Sequence, residues 1–205
     1  MSSNSDRQQL NRKALQLEYA TIGWNVGEAF LTIGLGIAAG SLALIGFGSD
    51  SIIELFASGV VVWHLIPGHE VDHPERTALA LRLVAVAFAA LAIVLVSMSI
   101  RDLVSGRRPE ESPWGIAYLG VTALVMFTLA RFKKRLAERL DSAPLQSEAS
   151  MTFLDGVLAA GTMLGLALNA LVGWWWADPA AALLVGLAAA NEARENWEEA
   201  GDHSF

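Results

Sequence analysis

The chain has 205 residues, 54% of them hydrophobic and only 17% charged, with a mean hydropathy of +0.43. A soluble domain carries about a quarter charged residues, and here the charges gather between long uncharged runs, as in a protein that crosses a membrane several times. With no cysteine, disulfides and thiolate metal sites are excluded, and a net charge of −7 argues against a nucleic-acid partner.

Residues 1–16 are polar and lack an apolar core ahead of a small-residue cleavage site, so they read as a cytoplasmic tail rather than a signal peptide. Six apolar runs follow in residues 17–193. They extend from Leu17 to Ala38, Leu42 to Ile66, Ala78 to Ile100, Pro113 to Ala130, Ser150 to Trp175 and Asp178 to Asn191. Each approaches the ~20 residues that a ~30 Å hydrocarbon core demands. None alternates apolar with polar residues as a barrel strand would, so the expected fold is all-α, a polytopic bundle of six transmembrane helices. Ala39-Gly40-Ser41 and Ala177-Asp178-Pro179 mark turns, and Pro67-Gly68 ends the second run. Residues 194–205 form a short acidic tail.

Lys and Arg set the expected orientation. With six spans both termini share one side, which receives Arg7, Arg12, Lys13, Arg76, Arg82, Arg194 and the cluster Arg131, Lys133, Lys134, Arg135 and Arg139. The other side receives only Arg101, Arg107 and Arg108. Both termini are therefore expected in the cytoplasm, in an inner-membrane protein, with the Arg131–Arg139 cluster as a topogenic anchor. Gly161 and Gly165 form a G-x-x-x-G step suited to close helix packing. Trp174, Trp175 and Trp176 fit an interfacial anchor.

Charged residues inside apolar runs are costly and mark ion or proton paths. In the second run Asp50 and Glu54 are four apart and share a helical face. Two carboxylates so placed repel each other unless a cation lies between them, and a divalent cation with oxygen ligands suits the pair. In the fifth run Asp155 shares a face with Met151 and Thr152, while Glu148 lies about 10 Å lower, a residue on the way into a site rather than a direct partner. Asn25 and Glu28 in the first run are suited to a polar network around it. After the second run, His69, Asp72 and His73 have spacing that fits a peripheral zinc site or a solvated loop.

Three stretches carry a resemblance to the cation diffusion facilitator (cation efflux) family: the step Gly40 to Leu44, the D-S-x-x-E step Asp50 to Glu54, and GWWWADPAAALLVG from Gly173 to Gly186. The resemblance implies a metal site between the second and fifth helices, with Asp50 and Glu54 supplied by one and Asp155 by the other. The family's His or Asp four residues before the last acid is here Met151, a soft thioether. The implied donors are three carboxylates, completed by Thr152, Asn25 or water, which weakens the preference for zinc and favours manganese or iron. About a dozen residues follow the last run, as in members without a cytoplasmic domain, so a homodimer is expected to form through membrane helices.

The implied activity is exchange of a cytoplasmic divalent metal (zinc, manganese or iron) for external protons, with no resident cofactor. A membrane protein of the same fold that binds metal without transporting it is the alternative reading. No nucleophile with a partnered base, H-E-x-x-H motif or phosphate-cradling glycine loop points to an enzyme.

Overall fold

The computed structural model describes the backbone of residues 2–39, 42–66, 74–106 and 113–202. The described residues form six α-helices and no strand: α1 (Ser2–Ala39), α2 (Leu42–Leu65), α3 (Pro74–Ser105), α4 (Pro113–Leu140), α5 (Ala143–Val172) and α6 (Ala177–Asp202). Within them Pro74–Ser105, Ile116–Leu140 and Ala143–Val172 are long and apolar enough to cross a membrane. The exterior carries large apolar side chains, among them Phe30, Ile93, Leu124, Leu164 and Leu184. That is the surface hydrocarbon solvates and water does not.

Several helices outrun the apolar spans. α1 starts at Ser2, and its polar lead packs on the bundle: Asn11 Nδ2 donates to the Leu65 carbonyl at 2.7 Å, and Ala14 joins Val61, Leu65, Ala137, Leu140 and Leu145 in an apolar cluster. α5 starts at Ala143, with Pro at the head of the helix, where its missing N–H costs nothing. Ahead of it Asp141 has φ 52°, left-handed geometry that Asp tolerates, and the Ser142 amide donates to the Ala137 carbonyl to close α4. This short turn folds α5 back along α4 and brings residues equally far from it face to face.

The bundle is built from three closely packed pairs, α3 with α6, α1 with α2, and α4 with α5. The G-x-x-x-G step meets α6. A Cβ on Gly161 would lie 2.9 Å from the Ala181 Cβ, and one on Gly165 would lie 2.6 Å from the backbone of Asp178. Gly173, at φ 73°, closes α5 with its amide on the Asn169 carbonyl. Trp174 and Trp176 follow, stacked at 5.4 Å and half exposed.

α2 and α5 face two different interiors. One is apolar: Ala57 and Val60 of α2 and Met151 and Leu158 of α5 pack with Phe88, Leu91 and Leu95 of α3 and Val185 and Ala189 of α6. The other, toward α1 and α4, is polar.

Candidate functional site

Four helices contribute one stripe each to the polar interior. On α1 the buried residues Glu18, Thr21, Asn25 and Glu28 recur every three or four positions, the spacing of one helical face. On α2 the stripe is Asp50, Glu54 and Ser58, with Ser51 beside Asp50, and on α5 it is Glu148, Thr152 and Asp155; all are buried. α4 supplies Tyr118, Thr122 and Lys133. The stripes form a column that runs from Glu18 in the middle of α1, with Lys133 and Glu148 near the ends of α4 and α5 that meet at the Asp141 turn, to Glu28 and Tyr118 farther along the bundle.

The middle of the column holds the predicted carboxylates. Asp155 interacts electrostatically with Glu54, Asp50 and Glu28, and Asp50 with Glu54 and Glu28. Thr152 and Asn25 flank Glu54. Glu54 Oε1 and Asp155 Oδ2 are buried with no hydrogen-bond partner among the described residues. Buried oxygens without donors are costly and give a cation something to bind. Even so, no three His, Asp or Glu side chains among the described residues converge tightly enough to hold a metal ion as they stand.

At the far end Glu28 accepts hydrogen bonds from the Tyr118 hydroxyl at 2.6 Å and from Ser51 Oγ at 3.1 Å. The predicted polar network therefore includes α4, which the sequence reading left out. At the near end Lys133 is fully buried. Its ammonium donates to Glu148 Oε1 and Oε2, both at 2.6 Å, to Glu18 Oε2 at 3.2 Å and to Thr152 Oγ1 at 3.3 Å. Ser58 Oγ donates to Glu148 Oε1 at 2.8 Å, and Thr152 Oγ1 donates to the same oxygen at 3.3 Å.

The cluster in residues 131–139, expected as a topogenic anchor, divides between two environments. Arg131, Lys134, Arg135 and Arg139 are exposed, but Lys133 turns inward. It stands eight residues before Asp141 and Glu148 seven after it, so the turn presents one to the other. Glu148 does not face open water; it is the principal partner of Lys133. Glu18 was absent from the sequence reading, although its seven- and ten-residue spacing from Asn25 and Glu28 placed it on their face. Met151, the position of the family's fourth donor, lies in the apolar cluster with Ala57 and Val60, while its neighbour Thr152 joins the column. His69, Asp72 and His73 lie outside the described residues.

The sequence matches the family model described as the cation efflux transmembrane domain over residues 19–201. Among curated proteins it is similar to transmembrane protein 163 of Xenopus laevis, 23% identical over 89% of this chain and 65% of that protein. It is also similar to the uncharacterized transporter sll1263 of Synechocystis sp., 26% identical over 79% of this chain and 56% of that protein. The chain thus spans less than two thirds of the length of either relative.

Proposed function

The chain belongs to the cation efflux family, and from that premise we propose that it carries divalent metal cations across the cell membrane in exchange for protons. Asp50, Glu54 and Asp155 are the proposed ligands, and the observation that carries the reading is their mutual approach inside a membrane bundle, with one oxygen each of Glu54 and Asp155 lacking a donor among the described residues. A cation drawn between α2 and α5 offsets that repulsion and gives those oxygens a partner. Thr152, Asn25 or water completes the shell, an all-oxygen set that favours manganese or iron over zinc relative to an imidazole-bearing site. Metal binding needs the carboxylates ionised, so protons arriving from the far side compete for the same oxygens and release the metal. The ligands close on the ion as the bundle alternates between its two openings. The protein acts as a homodimer through its membrane helices, with both termini in the cytoplasm.

Flux into proteoliposomes tests this, with zinc, manganese, iron and cobalt offered in turn and a pH dye in the lumen. Metal movement opposed by proton movement is expected, falling to background in Asp50→Asn and Asp155→Asn. Metal bound by the wild type without flux for any ion would instead favour a membrane metal-binding protein of the same fold.

A further inference from the structure

Among the described residues, six carboxylates lie inside the bundle, Glu18, Glu28, Asp50, Glu54, Glu148 and Asp155, and one buried ammonium, Lys133. The ammonium is held as a cation in a coordination shell is held. Both oxygens of Glu148, one oxygen of Glu18 and the Thr152 hydroxyl face it between 2.6 and 3.3 Å, and Ser58 steadies Glu148 from α2. The other oxygen of Glu18 is buried and has no hydrogen-bond partner among the described residues. Two carboxylates and two hydroxyls are hard oxygen donors of the kind that bind divalent ions. The next carboxylate along the column is Glu54, within electrostatic reach of Lys133.

We propose that Glu18, Glu148, Ser58 and Thr152 form a second, inner cation site, that Lys133 is its built-in occupant, and that a divalent metal on its way between this end of the bundle and Asp50, Glu54 and Asp155 displaces the Lys133 ammonium in passing. The tethered cation stops a metal from resting in the inner site, so that only the site between α2 and α5 is stably loaded. A lysine fits this role because its ammonium is a compact point charge on a flexible stem, which a planar, five-donor guanidinium is not. The proposal takes the passage of metal from the transport reading, but the inner site itself stands on its own contacts.

Metal content of the purified full chain in detergent tests it, counted by elemental analysis after equilibration with manganese or zinc. Lys133→Ala is expected to bind about one more metal ion per chain than the wild type, because a divalent ion replaces the ammonium. Lys133→Ala combined with Glu148→Gln is expected to return to the wild-type count. A folded Lys133→Ala protein with the wild-type count would overturn the proposal. So would a Lys133→Ala protein that cannot be recovered folded even with manganese present throughout, because a metal able to take the ammonium's place holds the two carboxylates together. The comparison is between variant and wild type, so the extra ion is readable whatever the wild type binds. A wild type without metal would count against the transport reading and leave this one to be decided by the gain.

Discussion

A carboxylate buried in a membrane bundle keeps its place through its donors, and in this column the donors are unevenly shared. Glu148 is met by Lys133, Ser58 and Thr152, and Glu28 by Tyr118 and Ser51, while one oxygen each of Glu54 and Asp155 has no hydrogen-bond partner among the described residues. The well-satisfied acids are expected to contribute to stability and the poorly satisfied ones to binding, since an unpartnered buried polar atom calls for a water, an ion or a functional role. Tyr118→Phe removes the shorter hydrogen bond to Glu28 and is expected to cost about 1–3 kcal/mol, read as a lower unfolding temperature in detergent. Asp155→Asn keeps the shape and removes a charge that its neighbours repel. It is expected to leave the unfolding temperature unchanged or raise it while abolishing metal binding, measured by titration calorimetry. A large loss of stability in Asp155→Asn would mean that this carboxylate holds the bundle together rather than holding a metal.

Among the elements, α5 carries the most distinct faces. Its small residues meet α6, its apolar residues Met151 and Leu158 enter the core with α3, and its polar stripe lines the column. The two glycines of the α5–α6 contact differ in what a side chain would strike. At Gly161 it is the Ala181 methyl group at 2.9 Å; at Gly165 it is the Asp178 backbone at 2.6 Å. A backbone cannot rotate aside, so Gly165→Ala is expected to destabilise by about 1–3 kcal/mol and Gly161→Ala by less, compared by thermal unfolding of the purified variants. Equal losses would place the tight contact elsewhere along the helix pair. α4 shows how a single helix can serve two solvents. Arg131, Lys134 and Arg135 leave it outward, and Lys133 from the same turns goes inward.

At the scale of the whole molecule, two interiors lie side by side and share α2 and α5. The apolar one with α3 and α6 supplies packing, and the polar one with α1 and α4 holds the charges. Moving α1 and α4 against α2 and α5 would rearrange the polar column while leaving the apolar core intact, a division that suits a protein whose site has to open to two sides. The chain has no cysteine, so single introduced cysteines report topology directly. Cysteines in place of Asp6 and Glu198 are expected to resist an impermeant maleimide in intact cells, and one in place of Ser105 to react. Labelling of all three, or of the first two alone, would reverse or break the proposed orientation.

From the sequence alone followed the all-α class, the six helices, the family, the close approach at Gly161 and Gly165, and the acids Asp50, Glu54 and Asp155 as the residues to watch. Each rests on a local signal: a run of apolar residues as long as a bilayer is thick, a spacing that puts small or acidic groups on one face, or a charge where charge is expensive. Tertiary structure decided which face met which. Glu18 and Lys133 each lie beside other polar or charged residues near the end of an apolar run, where one charge more looks ordinary. Only the turn at Asp141 and the packing of α1 on α4 reveal that they share a buried ion pair. Met151 and Thr152 are adjacent in sequence, and about 100° of helical rotation sends one to the apolar core and the other to the column. Periodicity groups residues into faces, but what a face meets depends on neighbours far away in the chain, and burial and charge pairing are decided there.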